Sequence, residues 1–193
     1  GGLTADELRA ALPRLLRRLT KEQFARAMRR ALAPRPKPPL PAAQLLVALH
    51  ELDDAVERGA VPQRALNDAL HNALIARDLF GHAVLREALD RLSQPGLGGG
   101  GGGGEHMPSL LMRTAILALK AYPRQLAPAV CDVVMRRLVE RRCWEHPKVW
   151  EGFIMAAKMT ASPNPPNCFA TLLQLPPDRI QQVLRHEPPL KEP

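Results

Sequence analysis

Thr4-Ala-Asp-Glu-Leu-Arg-Ala-Ala-Leu-Pro-Arg-Leu-Leu-Arg-Arg-Leu-Thr-Lys-Glu-Gln-Phe-Ala-Arg-Ala-Met-Arg-Arg-Ala-Leu32 holds two helix starts and two helical stripes, and it sets the fold class. Thr4 with Glu7, and Thr20 with Gln23, have the capping-box spacing, in which the Thr oxygen takes an orphan helix N–H and the longer side chain reaches back. Leu8, Leu12, Leu15, Leu16 and Leu19 keep a three-and-four spacing, and Pro13 is expected to restart or kink that helix. Phe24, Ala27, Met28 and Leu32 repeat the rhythm up to Ala33. There Pro34-Arg-Pro-Lys-Pro-Pro-Leu-Pro41 removes backbone donors and forces a loop.

The same punctuation continues along the 193 residues. Pro41 opens a helix with Leu45, Leu46, Leu49 and Leu52 that should end near Asp53 or Asp54. Pro62 opens a run through Leu66, Leu70, Leu74 and Ile75, and Val84, Leu85, Leu89 and Leu92 follow before Pro95. Gly98 to Gly104 is an uninterrupted Gly tract, which predicts a disordered insertion over 95–107 because glycine has the most backbone entropy to lose. Beyond it, Pro108 opens a helix that should run to Tyr122-Pro123, another run carries Leu126, Val130, Val133, Val134 and Leu138, helices are expected to begin after Pro147 and at Pro176-Pro177, and a short helix is expected around Phe169, Leu172 and Leu173.

About ten short helices result. One helix pair per roughly 40 residues is the period of HEAT or armadillo repeats, so the expected class is an all-α solenoid, with a closed bundle as the alternative. Only four Phe, two Trp and one Tyr are present, too few to fill pleated sheets. The whole of 1–193 reads as one helical domain. Gly1 in place of Met points to a piece of a longer chain, whose targeting signals lie outside the reading.

The net charge is +8. Residues 1–37 hold ten Lys or Arg against three Asp or Glu, with Arg14, Arg17, Arg18, Lys21, Arg26, Arg29 and Arg30 three and four apart, whereas 38–97 carry an acidic excess. Such a basic face is either solvated or meets phosphates or an acidic protein. It lacks the interleaved aromatics on which single-strand readers stack bases.

Little here suggests catalysis. Cys131, Cys143 and Cys168 have no CxxC spacing, and an odd number fits a reducing compartment. No two of the six His are four apart, so no zinc motif exists. His50 and His71 fall in the apolar rhythm of their helices as core-edge residues, and Cys131 beside Val130 and Val133 reads as a small buried hydrophobe. Asp53 and Asp54 are adjacent, hence splayed, and read as caps or solvated charges. The Gly tract lacks the Lys and Ser or Thr of a phosphate loop. No metal, cofactor or small-molecule site is expected, no apolar run approaches the roughly 18 residues of a membrane span, and an enzyme is not expected.

His146-Pro-Lys-Val-Trp-Glu-Gly-Phe153, followed by Leu172-Leu-Gln-Leu-Pro-Pro177, resembles the symplekin C-terminal domain. Leu111-Met-Arg-Thr114 with Ala121-Tyr-Pro-Arg124 agrees in order, as does Leu45-Leu-Val-Ala-Leu-His50 continued by Glu51-Leu-Asp53. The likeness runs from about Leu12 to Leu184. Two departures stand out: the glycine-stretched segment between Pro95 and His106, and Met155-Ala-Ala-Lys-Met-Thr160 where the family has a Cys-Cys-Gln-Arg-Thr-Lys-Pro stretch.

The resemblance implies a HEAT-like, non-catalytic scaffold of the nuclear machinery for messenger-RNA 3′-end cleavage and polyadenylation. It implies binding of cleavage and polyadenylation specificity factor subunits, through the C-terminal regions of the metallo-β-lactamase endonuclease and its inactive homologue, and contact with the cleavage stimulation factor. RNA contact is then indirect, and a basic helical repeat touching RNA phosphates through residues 9–37 is the alternative. Candidate protein contacts are Arg113, Tyr122, Arg124, Lys148 and Trp150, which fall in the family-like blocks and suit an acidic partner segment. Each also has a structural reading, the cations as helix caps and Trp150 as core.

Overall fold

The computed structural model describes residues 4–33, 38–95, 110–161 and 168–186. All regular structure among them is helical, as the apolar periodicity predicts. The expected Gly-rich insertion at 95–107 lies outside the described residues but for Pro95, as does the helix start at Pro108. The chain divides into two compact units, one through Ala88 and one that begins with Leu89–Pro95 and resumes beyond Pro108.

In the first unit, helix α1 spans Ala5–Arg18 and α2 spans Lys21–Leu32. Both capping boxes form. The Glu7 amide donates to Thr4 Oγ1 at 3.2 Å while the Thr4 amide donates to Glu7 Oε2 at 2.8 Å, and Thr20 with Gln23 repeats this at 3.3 and 2.9 Å. Pro13 does not restart α1; the helix runs through it with Leu8, Leu12 and Leu16 buried on either side. Helix α3, Ala42–His50, is apolar nearly all round and buries seven of its nine residues.

The expected continuation of α3 to Asp53 or Asp54 does not occur. The chain turns after His50, and Asp53 and Asp54 instead open a one-turn helix α4, Asp53–Glu57, where acidic groups face the helix's positive end. Asp53 is buried rather than solvated. Helix α5, Gln63–Ile75, lies against α1, α2 and α3 through Leu66, Ala69, Leu70 and Ala73.

This stripe corrects two expectations. His71 stands about 100° beyond Leu70 and is exposed, and Ile75, the last residue of α5, is 61% exposed. Asn72 is the buried polar residue there, its amide donating to the Lys21 carbonyl at 3.3 Å. His50 does lie in the core, its Nδ1 2.8 Å from the Leu46 carbonyl.

Helix α6, His82–Ser93, crosses from the first unit to the second between Ala88 and Leu89. The second unit continues with α7, Leu111–Ala121, and α8, Pro123–Ala129, which widens into a π-turn over Val130–Met135 and resumes as α9, Arg136–Glu140. Arg137 of α9 clamps the end of α6, donating to the Asp90 carbonyl at 2.8 Å and Ser93 Oγ at 2.7 Å. Arg142, in the left-handed region at φ 53°, ends that rod ahead of the short 3₁₀ turn Cys143–Glu145. Helices α10, Pro147–Met159, α11, Phe169–Leu172, and α12, Pro177–His186, complete the unit. Leu173 falls just past the end of α11 and is 63% exposed, against its expected place in that helix.

Candidate partner-binding groove

Helix α10 carries the block His146 to Phe153 and presents two different faces. Pro147 occupies its first position, where a missing N–H costs nothing. Val149, Trp150, Phe153, Ala156 and Ala157 form the inner stripe against α7, with Trp150 and Phe153 stacked at 5.2 Å and 21°. Gly152 lies where α10 meets Met112 of α7. A Cβ placed there would sit 2.5 Å from Met112 Cβ, so the absence of a side chain permits the approach.

The outer face is a different surface. Glu151, Met155 and Lys158 recur at helical spacing, and with Pro147, Trp150, Ile154 and Gln182 of α12 they line an open groove of about 630 Å³. Met155 is 50% exposed within it. Trp150 is buried, and its Nε1 has no hydrogen-bond partner among the described residues.

The five residues singled out from the sequence are only partly gathered. Trp150 is the one of them that lines the groove. Lys148 is exposed on the first turn of α10, Arg113 is exposed on α7, and Tyr122, half-buried, forms the corner between α7 and α8 with the exposed Arg124 just after it. Glu151, Met155, Lys158 and Gln182 escaped the reading of the sequence. Met155 had a usable signal, an apolar residue four positions from Glu151 and three from Lys158 on a charged stripe.

In the first unit a smaller cleft of about 220 Å³ lies between α1, α2 and α5, lined by Leu16, Phe24 and Ala69 and rimmed by Lys21 and Arg64. The basic face beside it is real. Arg14, Arg17, Arg18 and Arg30 are exposed and make no ion pair with the described residues, whereas Arg29 is held in a bidentate pair with Asp78. That pair keeps the Asp78 carboxyl below its ordinary range. Among the described residues no group of His, Cys, Asp and Glu is placed to hold a metal ion, and no helix is long and apolar enough to cross a membrane.

The family model described as "Symplekin tight junction protein C terminal" matches residues 1–187. The chain belongs to the symplekin C-terminal family. No solved structure matches it. Symplekin membership carries a scaffold role in messenger-RNA 3′-end processing, and it agrees with a molecule whose distinctive block builds a helix face and a groove. In this symplekin-type chain the family-like residues divide their work: Trp150, Gly152 and Phe153 join α10 to α7, while Glu151 between them faces outward.

Proposed function

We propose that this chain is a non-catalytic scaffold in nuclear pre-messenger-RNA cleavage and polyadenylation, holding the C-terminal regions of the endonuclease and of its inactive homologue. The family match over residues 1–187 carries this reading. The cleavage stimulation factor is a further partner under the same proposal, as are the action of 1–193 as one domain and the stacking of its helices as a solenoid. The groove along α10 supports it physically, because a helix face with an exposed Met among charges suits an amphipathic partner segment. Exposed Arg113, Arg124 and Lys148 are proposed to meet acidic groups of the partner, with Tyr122 and the edge of Trp150 as the aromatic contacts.

The test is co-purification with those two C-terminal regions, for the native sequence and for Met155→Glu. A stoichiometric complex that Met155→Glu weakens roughly 10-fold or more, with helix content unchanged, is the expected result. No complex with either region overturns the scaffold reading. A complex indifferent to Met155→Glu leaves the scaffold and removes the groove from it.

A second reading rests on Arg14, Arg17, Arg18 and Arg30, exposed and unpaired by the described residues. Phosphates of RNA would find a cationic helix surface there, within residues 9–37. Titration with unstructured RNA at two salt concentrations separates the two: affinity that falls steeply with salt and with Arg14, Arg17 and Arg18 changed to Gln favours RNA, since each phosphate contact releases counterions.

A further inference from the structure

Arg17-Arg18-Leu19-Thr20 joins α1 to α2, and the threonine at its end is exposed. Six Ser and Thr hydroxyls stand among the described residues, and those of Ser93, Thr114, Thr160 and Thr171 are buried. Thr4 and Thr20 are the exposed two. We propose that Thr20 is a phosphorylation site for a protein kinase that selects arginines two and three residues ahead of its target, and that the phosphate is then held beside Lys21 and Arg64.

Charge separates the two candidates. Thr4 has no cation ahead of it and is followed by Asp6 and Glu7, whereas Thr20 follows Arg14, Arg17 and Arg18. Guanidinium groups pair with carboxylates through charge-assisted, often bidentate bonds, and kinases choose substrates by such charge patterns. The three arginines are exposed and make no ion pair with the described residues, so an acidic kinase groove can read them. The backbone helps as well. Leu19 and Thr20 are already extended, at φ −95°, ψ 144° and φ −67°, ψ 164°, as a peptide must be to cross an active-site cleft. Arg17 and Arg18 belong to the last turn of α1, and helix ends fray readily, so only local opening is needed.

The kinase supplies the other reactant, a nucleoside triphosphate held as its magnesium complex. The bond from the γ-phosphorus to the bridging oxygen breaks, a bond to Thr20 Oγ1 forms, the hydroxyl proton passes to the kinase's base, and the diphosphate leaves.

The fold offers the product a seat. Thr20, Lys21 and Arg64 line one cleft, so a cation from α5 stands with the threonine, and neither Lys21 nor Arg64 makes an ion pair with the described residues. Thr20 Oγ1 accepts the Gln23 amide at 3.3 Å, a bond that phosphate oxygens can take over. Glu22 of the first turn of α2 and Asp68 of the cleft wall oppose the new charge. The phosphoryl group brings about −1.5 to −2 charges at pH 7 and so lowers the cationic excess of residues 1–37 beside Arg17 and Arg18.

Incubating the folded chain with the catalytic subunit of the cyclic-AMP-dependent protein kinase and magnesium ATP, followed by intact mass and peptide mapping, tests the site. One phosphoryl group at Thr20 is expected. Arg17→Gln with Arg18→Gln should slow its transfer roughly 10-fold or more with helix content unchanged. Thr20→Asn, which keeps a capping side chain, should abolish it. Phosphorus-31 NMR against pH then reads the seat. The second ionisation of the phosphothreonine should lie lower in the folded chain than in the same chain in urea, and Lys21→Gln with Arg64→Gln should shrink the difference. No phosphate on the folded chain, phosphate on Thr4 instead, or a rate indifferent to the two arginines overturns the site. The same ionisation folded and unfolded, or a loss of helix on phosphorylation, overturns the seat.

Discussion

Replacing Gly152 by alanine is the sharpest probe of how the second unit is held together. On helix propensity alone the change should stabilise α10 by about 1 kcal/mol, since glycine in a helix interior is the costlier residue. The contact with α7 opposes it. An added Cβ meets Met112 Cβ at 2.5 Å, Cγ at 3.1 Å and Cα at 3.9 Å. Carbon atoms rest roughly 3.5–4.0 Å apart, so α10 must draw back about 1 Å, and the Met112 atom in the way is fixed to the backbone and cannot rotate aside.

Withdrawal loosens Phe153, Ala156 and Ala157 together, all fully buried. Overpacking a dense core costs about 1–3 kcal/mol, and a displaced helix belongs in the upper half of that range. The net expectation is a loss of about 1–2 kcal/mol, and a fall in melting temperature of roughly 2–8 °C. Circular dichroism at 222 nm on heating, paired with urea unfolding, measures it. Met112→Ala should not rescue the variant, because the colliding Cβ remains. A Gly152→Ala chain as stable as the native one, or more stable, refutes the close approach and leaves propensity as the only term.

Two backbone changes should move in opposite directions. Gly59→Ala meets nothing within 4 Å but holds φ at +70°, so it should lose about 1 kcal/mol through conformation alone; Arg142→Gly, at φ 53°, should gain a similar amount, less the small worth of its exposed ion pair with Glu145. Both are read by urea unfolding. Thr20→Ala removes the α2 cap and should cost about 1 kcal/mol in the same assay.

Glu7 accepts from the Thr4 amide and hydroxyl, which lowers its pKa, so its contribution is complete above the unfolded-state value and is lost as pH falls through the folded one. Stability measured from pH 6 to 3 should decline less steeply for Glu7→Gln than for the native chain. Asp78→Asn should matter at low salt and little at high salt, because its pair with Arg29 is half-exposed.

The legible parts of the sequence were those governed by local rules. Both capping boxes formed with the residues and spacing that name them, and the prolines at 147 and 177 each stand at the start of a helix, because a missing N–H is harmless there whatever the tertiary context. Where the reading failed, the deciding contact was distant. Leu52 continues an apolar rhythm, yet α3 stops at His50 and Asp53 is drawn into the core at the head of α4. Ile75 and Leu173 are apolar in an apolar series, but they stand at the ends of their helices and are exposed.

Gly152 shows why a family-like block and a binding site are different things. Within Val149 to Phe153, the tryptophan, the glycine and the phenylalanine serve contact with α7, and a substitution at any of them disturbs the second unit before it disturbs a partner. Loss of binding by Trp150→Ala is therefore no measure of an interface, since emptying that much core costs about 3–5 kcal/mol by itself. Met155 and Glu151, one turn apart on the other side of the same helix, have little core to lose. A partner that docks along α10 must register there, with stability unchanged, and a partner that does not will register at Arg113 and Arg124 or at neither.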